Sequence, residues 1–148
     1  MWQPLFAATN IVAVVGWLFL LIGSGQRRID AARFLAVGAL CAVYAILFVL
    51  LIAGSVEPGR APGAPPAPLS DYSVRGLRAL FSSDGAIVVG WTHYLAFDLF
   101  VGAWITEDAA RQEVSRWRLV PILLATFMAG PLGLILYYLL TAKRRLSR

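Results

Sequence analysis

Four apolar runs, each about as long as a membrane is thick, decide what this chain can become. They cover Leu5 to Gly23, Ala31 to Gly54, Ala86 to Thr106 and Leu119 to Thr141. A hydrocarbon core of roughly 30 Å takes about 20 apolar residues in helix. In lipid every backbone N–H and C=O needs a partner within the protein, which leaves helices or a closed barrel. The runs far exceed the roughly ten residues of a barrel strand. The expectation is an all-α integral membrane protein, a four-helix bundle forming one transmembrane domain over residues 1–148. Composition agrees: 59% hydrophobic, 14% charged, mean hydropathy +0.74. A soluble domain is nearer about a quarter charged.

The connections add detail. Between the first two runs, GSGQRRID stops one helix at Gly23 and Gly25 and offers Asp30 as N-cap of the next. Residues 55–71 form a Pro- and Gly-rich loop, expected to be extended and mobile. Over 72–83, Val74, Leu77, Leu80 and Phe81 share one helical face and Arg75 and Arg78 point elsewhere. That reads as an interfacial amphipathic helix or, since Gly76 interrupts it, as an irregular loop. Between runs three and four a short interfacial turn places Trp117 at head-group depth. Pro131, flanked by Gly130 and Gly133, lacks an N–H and clashes with the Phe127 carbonyl, so a kink in the fourth helix is expected. The kink serves either close packing or a ligand cleft.

Several classes drop out. The lone cysteine, Cys41, allows no disulfide within the chain, and one histidine allows no bis-histidine haem. No cofactor or metal is expected. The net charge of +5 sits on residues flanking the apolar runs, where it meets lipid head groups rather than nucleic acid. The expected partner is membrane lipid, with a homo-oligomer left open. No cleavable leader is evident in the first run. Orientation cues conflict. Arg27, Arg28 and Arg33 favour an external N-terminus, whereas Lys143, Arg144, Arg145 and Arg148 favour an internal C-terminus. Four crossings would put both ends on one side, and the denser tail tips the reading toward the cytoplasm.

The third run carries GWTHYLAFDLF, residues 90–100. A carboxylate at mid-membrane costs several kcal/mol unless paired, protonated or wetted. His93 and Asp98 are therefore the candidate functional pair. At about 100° per residue they point roughly 140° apart and cannot pair within one regular helix. Trp91, Tyr94 and Asp98 share one face; His93, Phe97, Phe100 and Trp104 share another. In an antiparallel bundle Asn10, His93, Asp98 and Tyr137 fall in the same membrane half and could line one cavity. Each also has a plainer role: His93 and Asn10 as helix–helix hydrogen-bonding groups, Asp98 as a protonated structural donor, the aromatics as packing.

At GWTHYLAFDLF and ATFMAGPLGLILYYL the chain resembles the abscisic-acid-deficient-four-like family. Trp91, His93, Asp98, Leu99 and Phe100 match its W-x-H…D-L-F motif, and Gly130, Pro131 and Gly133 its proline-glycine segment. Plant members are chloroplast membrane proteins required to form neoxanthin from violaxanthin. The composition and the bare N-terminus lead us to expect a bacterial member in the inner membrane, where neoxanthin is not the expected product. The resemblance implies an isomerisation without a redox cofactor: an epoxide opens while a carbon loses a proton. Asp98 would be the acid and His93 the base. The resemblance alone implies the ligand, a hydrophobic polyene or isoprenoid. Asn10, Trp91, Tyr94, Phe97 and Tyr137 would line the substrate, the rings forming a flat apolar wall. Two other readings stand beside it: a non-catalytic holder of a carotenoid, quinone or lipid, and a small proton-coupled carrier.

Overall fold

The structure, a computed structural model, describes residues 1–23, 25–63 and 68–146, the last four as backbone only. Arg148 and the side chains of Lys143, Arg144 and Arg145, used above for orientation, lie outside the described residues. All regular structure among these is helical: α1 (Trp2–Ile22), α2 (Gln26–Asp30), α3 (Gly38–Ile52), α4 (Val74–Leu80), α5 (Asp84–Arg111) and α6 (Arg116–Leu146). Four helices are long and apolar enough to cross a membrane: α1, the rod from Gln26 to Ile52, α5 and α6.

Within that rod, Ala31–Val37 is π-helical and joins α2 to α3 without a break. The rod begins at Gln26, four residues before Asp30, which is not its cap. The cap position is Gly25, and the Asp30 carboxylate accepts from Gln26 Nε2 at 2.9 Å. A Gln and an Asp four apart on one helix face satisfy each other locally, which a sequence motif for a cap does not distinguish.

Helix α5 is the centre of the molecule. Half of its apolar window is buried, against 17–33% in the other three. Small residues let its neighbours approach: a Cβ on Gly102 would meet the Trp17 ring at 2.5 Å, and one on Gly16 would meet Leu99 at 2.5 Å and Ala36 at 2.9 Å. At one end of the bundle Gly85 packs against Trp2 and Leu51, so the start of α1, the end of α3 and the start of α5 lie together. At the other end Arg33 and Arg111 pair with Glu107. There Arg116 also donates to the Leu20 carbonyl at 3.3 Å and to the Leu21 carbonyl. Those contacts gather the end of α1, the start of the π segment, the end of α5 and the start of α6.

Helix α6 departs from the expected kinked crossing. Its backbone leaves helical geometry at Ala129 (φ −158°, ψ 74°), and the chain reverses. A Cβ on Gly133 would overlap the backbone of Thr126; seven residues along a straight helix are roughly 10 Å apart. Beyond the turn, the Tyr137 hydroxyl donates to Asp108 Oδ2 at 2.6 Å, near the end of α5. The Trp104 ring lies 5.9 Å from Tyr137 and 6.0 Å from Tyr138. The arm 130–146 therefore returns to the end of the bundle from which the arm 116–128 set out. Pro131 explains the location. Proline suits the first turn of a new helix, and the break at Ala129 stands two residues before it. Here it starts an arm instead of bending one.

The loop after α3 is fastened at 57–60. The Trp2 indole donates to the Glu57 carbonyl at 3.2 Å, and Gly85 N–H to the Pro58 carbonyl at 2.9 Å. Arg60 forms an isolated backbone bridge with Ser83. Gly59 takes φ +68°, a region that favours glycine, with Trp2 and Asp84 against it. Helix α4 follows, its N-cap Ser73 accepting from Gly76 N–H at 3.0 Å.

Candidate functional site

A groove of about 440 Å³ runs between α3 and α5. Ser83, which caps α5, and Ala86, Gly90 and His93 form one wall, at the three- and four-residue spacing of a single helix stripe. Tyr44, Phe48 and Leu51 of α3 form the other. Phe81, just past α4, and the loop residues Pro58 and Arg60 close the near end. Gly90 makes room for the Phe81 ring, whose Cε1 would stand 2.6 Å from a Cβ there. From Ser83 to His93 the groove follows ten residues of helix, roughly 15 Å.

The polar groups of this apolar groove are few. His93 stacks on Phe97 at 4.5 Å and tilts toward Tyr44 at 5.5 Å, and the imidazole makes no hydrogen bond among the described residues. Arg60 carries a buried Nε without a partner. Ser83 is already engaged, its hydroxyl donating to the Leu80 carbonyl at 3.2 Å. Small-molecule sites commonly have this make-up: roughly 300–1,000 Å³, mostly apolar and aromatic, with a few convergent polar groups.

Asp98 is elsewhere. It is 9% exposed and faces the reversal in α6, close beside Gly130, and its Oδ2 is buried without a hydrogen-bond partner among the described residues. A Cβ on Gly130 would overlap Asp98 Oδ1. Tyr94, one turn back on α5, donates to the Met128 carbonyl at 3.4 Å. The first arm of α6 ends in carbonyls and the second begins in N–H groups, none with a helical partner. Tyr94 serves the former and Asp98 stands beside the latter. A carboxylate at a helix N-terminus is favoured by the helix dipole as well as by the N–H.

Of the candidate site residues His93, Asp98, Asn10, Trp91, Tyr94, Phe97 and Tyr137, the structure brings only His93 to the groove, where it is joined by Leu80 and Phe81 of the amphipathic stretch. Asn10 accepts from the Trp91 indole at 3.1 Å and donates to the Phe6 carbonyl at 2.7 Å, tying α1 to α5. Trp91 otherwise rests on Phe6 and Tyr94. Phe97 lies outside the groove and supports His93 from its outer side. Tyr137 does not share a membrane half with His93, because the reversal of α6 carries it to Asp108. The shared cavity for Asn10, His93, Asp98 and Tyr137 is thus not formed. Sequence reading missed Arg60, Tyr44 and Phe48. The two rings carried a weak signal, four residues apart in the second run; Arg60 carried none.

No curated protein and no solved structure matches this chain. A family model does, over residues 4–137, most of its length, and it is that of ABA DEFICIENT 4-like. The aromatic groove headed by His93 is accordingly a feature of a membrane protein that belongs to the ABA DEFICIENT 4-like family, a membership that points to carotenoid metabolism.

Proposed function

We propose that the groove between α3 and α5 binds a carotenoid or related isoprenoid lipid and that His93 moves a proton on it, so that the protein acts as an intramembrane isomerase. The observation that carries this reading is the pairing of flat apolar walls, Tyr44, Phe48 and Phe81, with an imidazole that makes no hydrogen bond among the described residues. In the epoxide-opening form that the family suggests, a substrate carbon gives its proton to His93 as a new double bond forms. The C–O bond breaks toward oxygen, which takes up a proton from water at the open side of the groove, and His93 then returns its proton to the hydroxide so formed. Substrate and product are isomers, so no oxidant or reductant enters. Asp98 has a structural part in this scheme, as the partner of the broken α6.

The test is turnover of violaxanthin by detergent-purified protein, followed by chromatography, with His93→Gln and His93→Ala. Loss of a general base costs on the order of 10²- to 10⁴-fold in rate, and that loss is the expected outcome. Unchanged turnover in both variants removes His93 from the chemistry. A second reading, a holder that presents its ligand to a partner enzyme, is favoured by the distance between His93 and Asp98, which leaves no acid–base pair in the groove. Pigment that binds stoichiometrically and is never converted would establish it.

A further inference from the structure

Among the described residues, the Arg60 side chain has no partner. Its side chain lines the groove, its Nε is buried and unpartnered, and its guanidinium makes no ion pair or hydrogen bond among the described residues. Asp84 is close by, its Oδ2 3.2 Å from where a Gly59 Cβ would stand, yet it does not pair with Arg60. A buried donor without a partner costs about 1–3 kcal/mol, more when charged. The backbone holds this donor in place: 57–60 is fastened by the Trp2 indole, by the amides of Asp84 and Gly85, and by the bridge to Ser83. Such a fixed donor meets an incoming acceptor with little further ordering.

The rest of the groove says what the acceptor belongs to. Its walls are apolar, and its length of roughly 15 Å along α5 is about half the roughly 30 Å hydrocarbon core. A molecule long enough to cross the bilayer is held there by one end only. We propose that Arg60 is the specificity-determining residue of the groove. Its guanidinium donates to an oxygen on one end of the ligand and selects oxygen-bearing isoprenoids over pure hydrocarbons. This inference rests on the reading of the groove as an isoprenoid site.

Three pigments separate the two claims. β-Carotene, β-cryptoxanthin and zeaxanthin share a polyene and ring skeleton and carry no, one and two ring hydroxyls. Each is titrated into the full-length protein in detergent, with absorbance and tryptophan fluorescence as readouts. Wild type is expected to bind zeaxanthin on the order of tenfold more tightly than β-carotene, as a hydrogen bond to a charged group gives. β-Cryptoxanthin should fall within about twofold of zeaxanthin, because one hydroxylated end suffices. Arg60→Met should remove the discrimination, so that all three pigments bind alike, and Arg60→Lys should restore part of the preference. Intact discrimination in Arg60→Met overturns the role of Arg60, as does β-cryptoxanthin binding like β-carotene in wild type, a result that needs no variant to fold. Failure of all three pigments to bind wild type overturns the isoprenoid site itself and the inference with it.

Discussion

Tyr94 and Asp98 stand one turn apart on α5 and meet the two loose ends of the broken α6. Unpartnered backbone groups within a bilayer cost several kcal/mol each, so these side chains make the break tolerable. Asn at 98 keeps an acceptor for the Gly130 N–H, and Leu does not. Asp98→Asn should therefore stay near wild-type stability in detergent melts, and Asp98→Leu should lose about 1–3 kcal/mol. If Asn is as damaging as Leu, the carboxylate has some other task. The sequence showed that Asp98 needs a partner and that His93, roughly 140° around the helix, is not it. It did not show the partner, because Gly130 reaches Asp98 only through the reversal. Arg60 was equally illegible: it is brought to the groove by backbone bonds at Glu57, Pro58 and Gly59, and a Pro/Gly composition does not reveal such bonds.

Among the elements, α1, the rod from Gln26 to Ile52 and α5 overlap three of the apolar runs, the rod starting five residues before Ala31 and α5 ending five after Thr106. Hydropathy measures length and not direction, so α6 could be recognised as apolar while its path could not. Pro131 marked the place; whether a proline bends one helix or begins another depends on what stands opposite, here Asp98. Cysteines at 126 and 133, with Cys41→Ala, test the path. In the hairpin they should crosslink under mild oxidation, whereas in a straight helix they lie roughly 10 Å apart, beyond disulfide reach. Gly133→Leu should push the two arms apart and lower stability by about 1–3 kcal/mol.

For the whole molecule, the reversal predicts three crossings where length and composition alone allow four, with α6 entering and leaving at one end. Arg27, Arg28, Arg33, Arg111, Arg116 and Arg118 gather at that end, while Arg60, Arg75 and Arg78 lie at the other. Basic residues favour the cytoplasm. The N-terminus is then outside and the tail inside, and the two orientation cues that clash in a four-crossing bundle agree. Cysteines at positions 3 and 142 should react with an impermeant maleimide from opposite faces; labelling from the same face restores four crossings. The groove, near the start of α5, opens on the outer side in this arrangement.

The stretch Arg116–Ala142 is also 27 residues long and apolar enough to cross without a bend. Its return path depends on two side chains of a helix synthesised earlier. A chain with both Tyr94→Phe and Asp98→Leu should send part of its population through the bilayer, with the basic tail delivered to the far face. That outcome would make two side chains on α5 the control over which face of the membrane receives the basic tail.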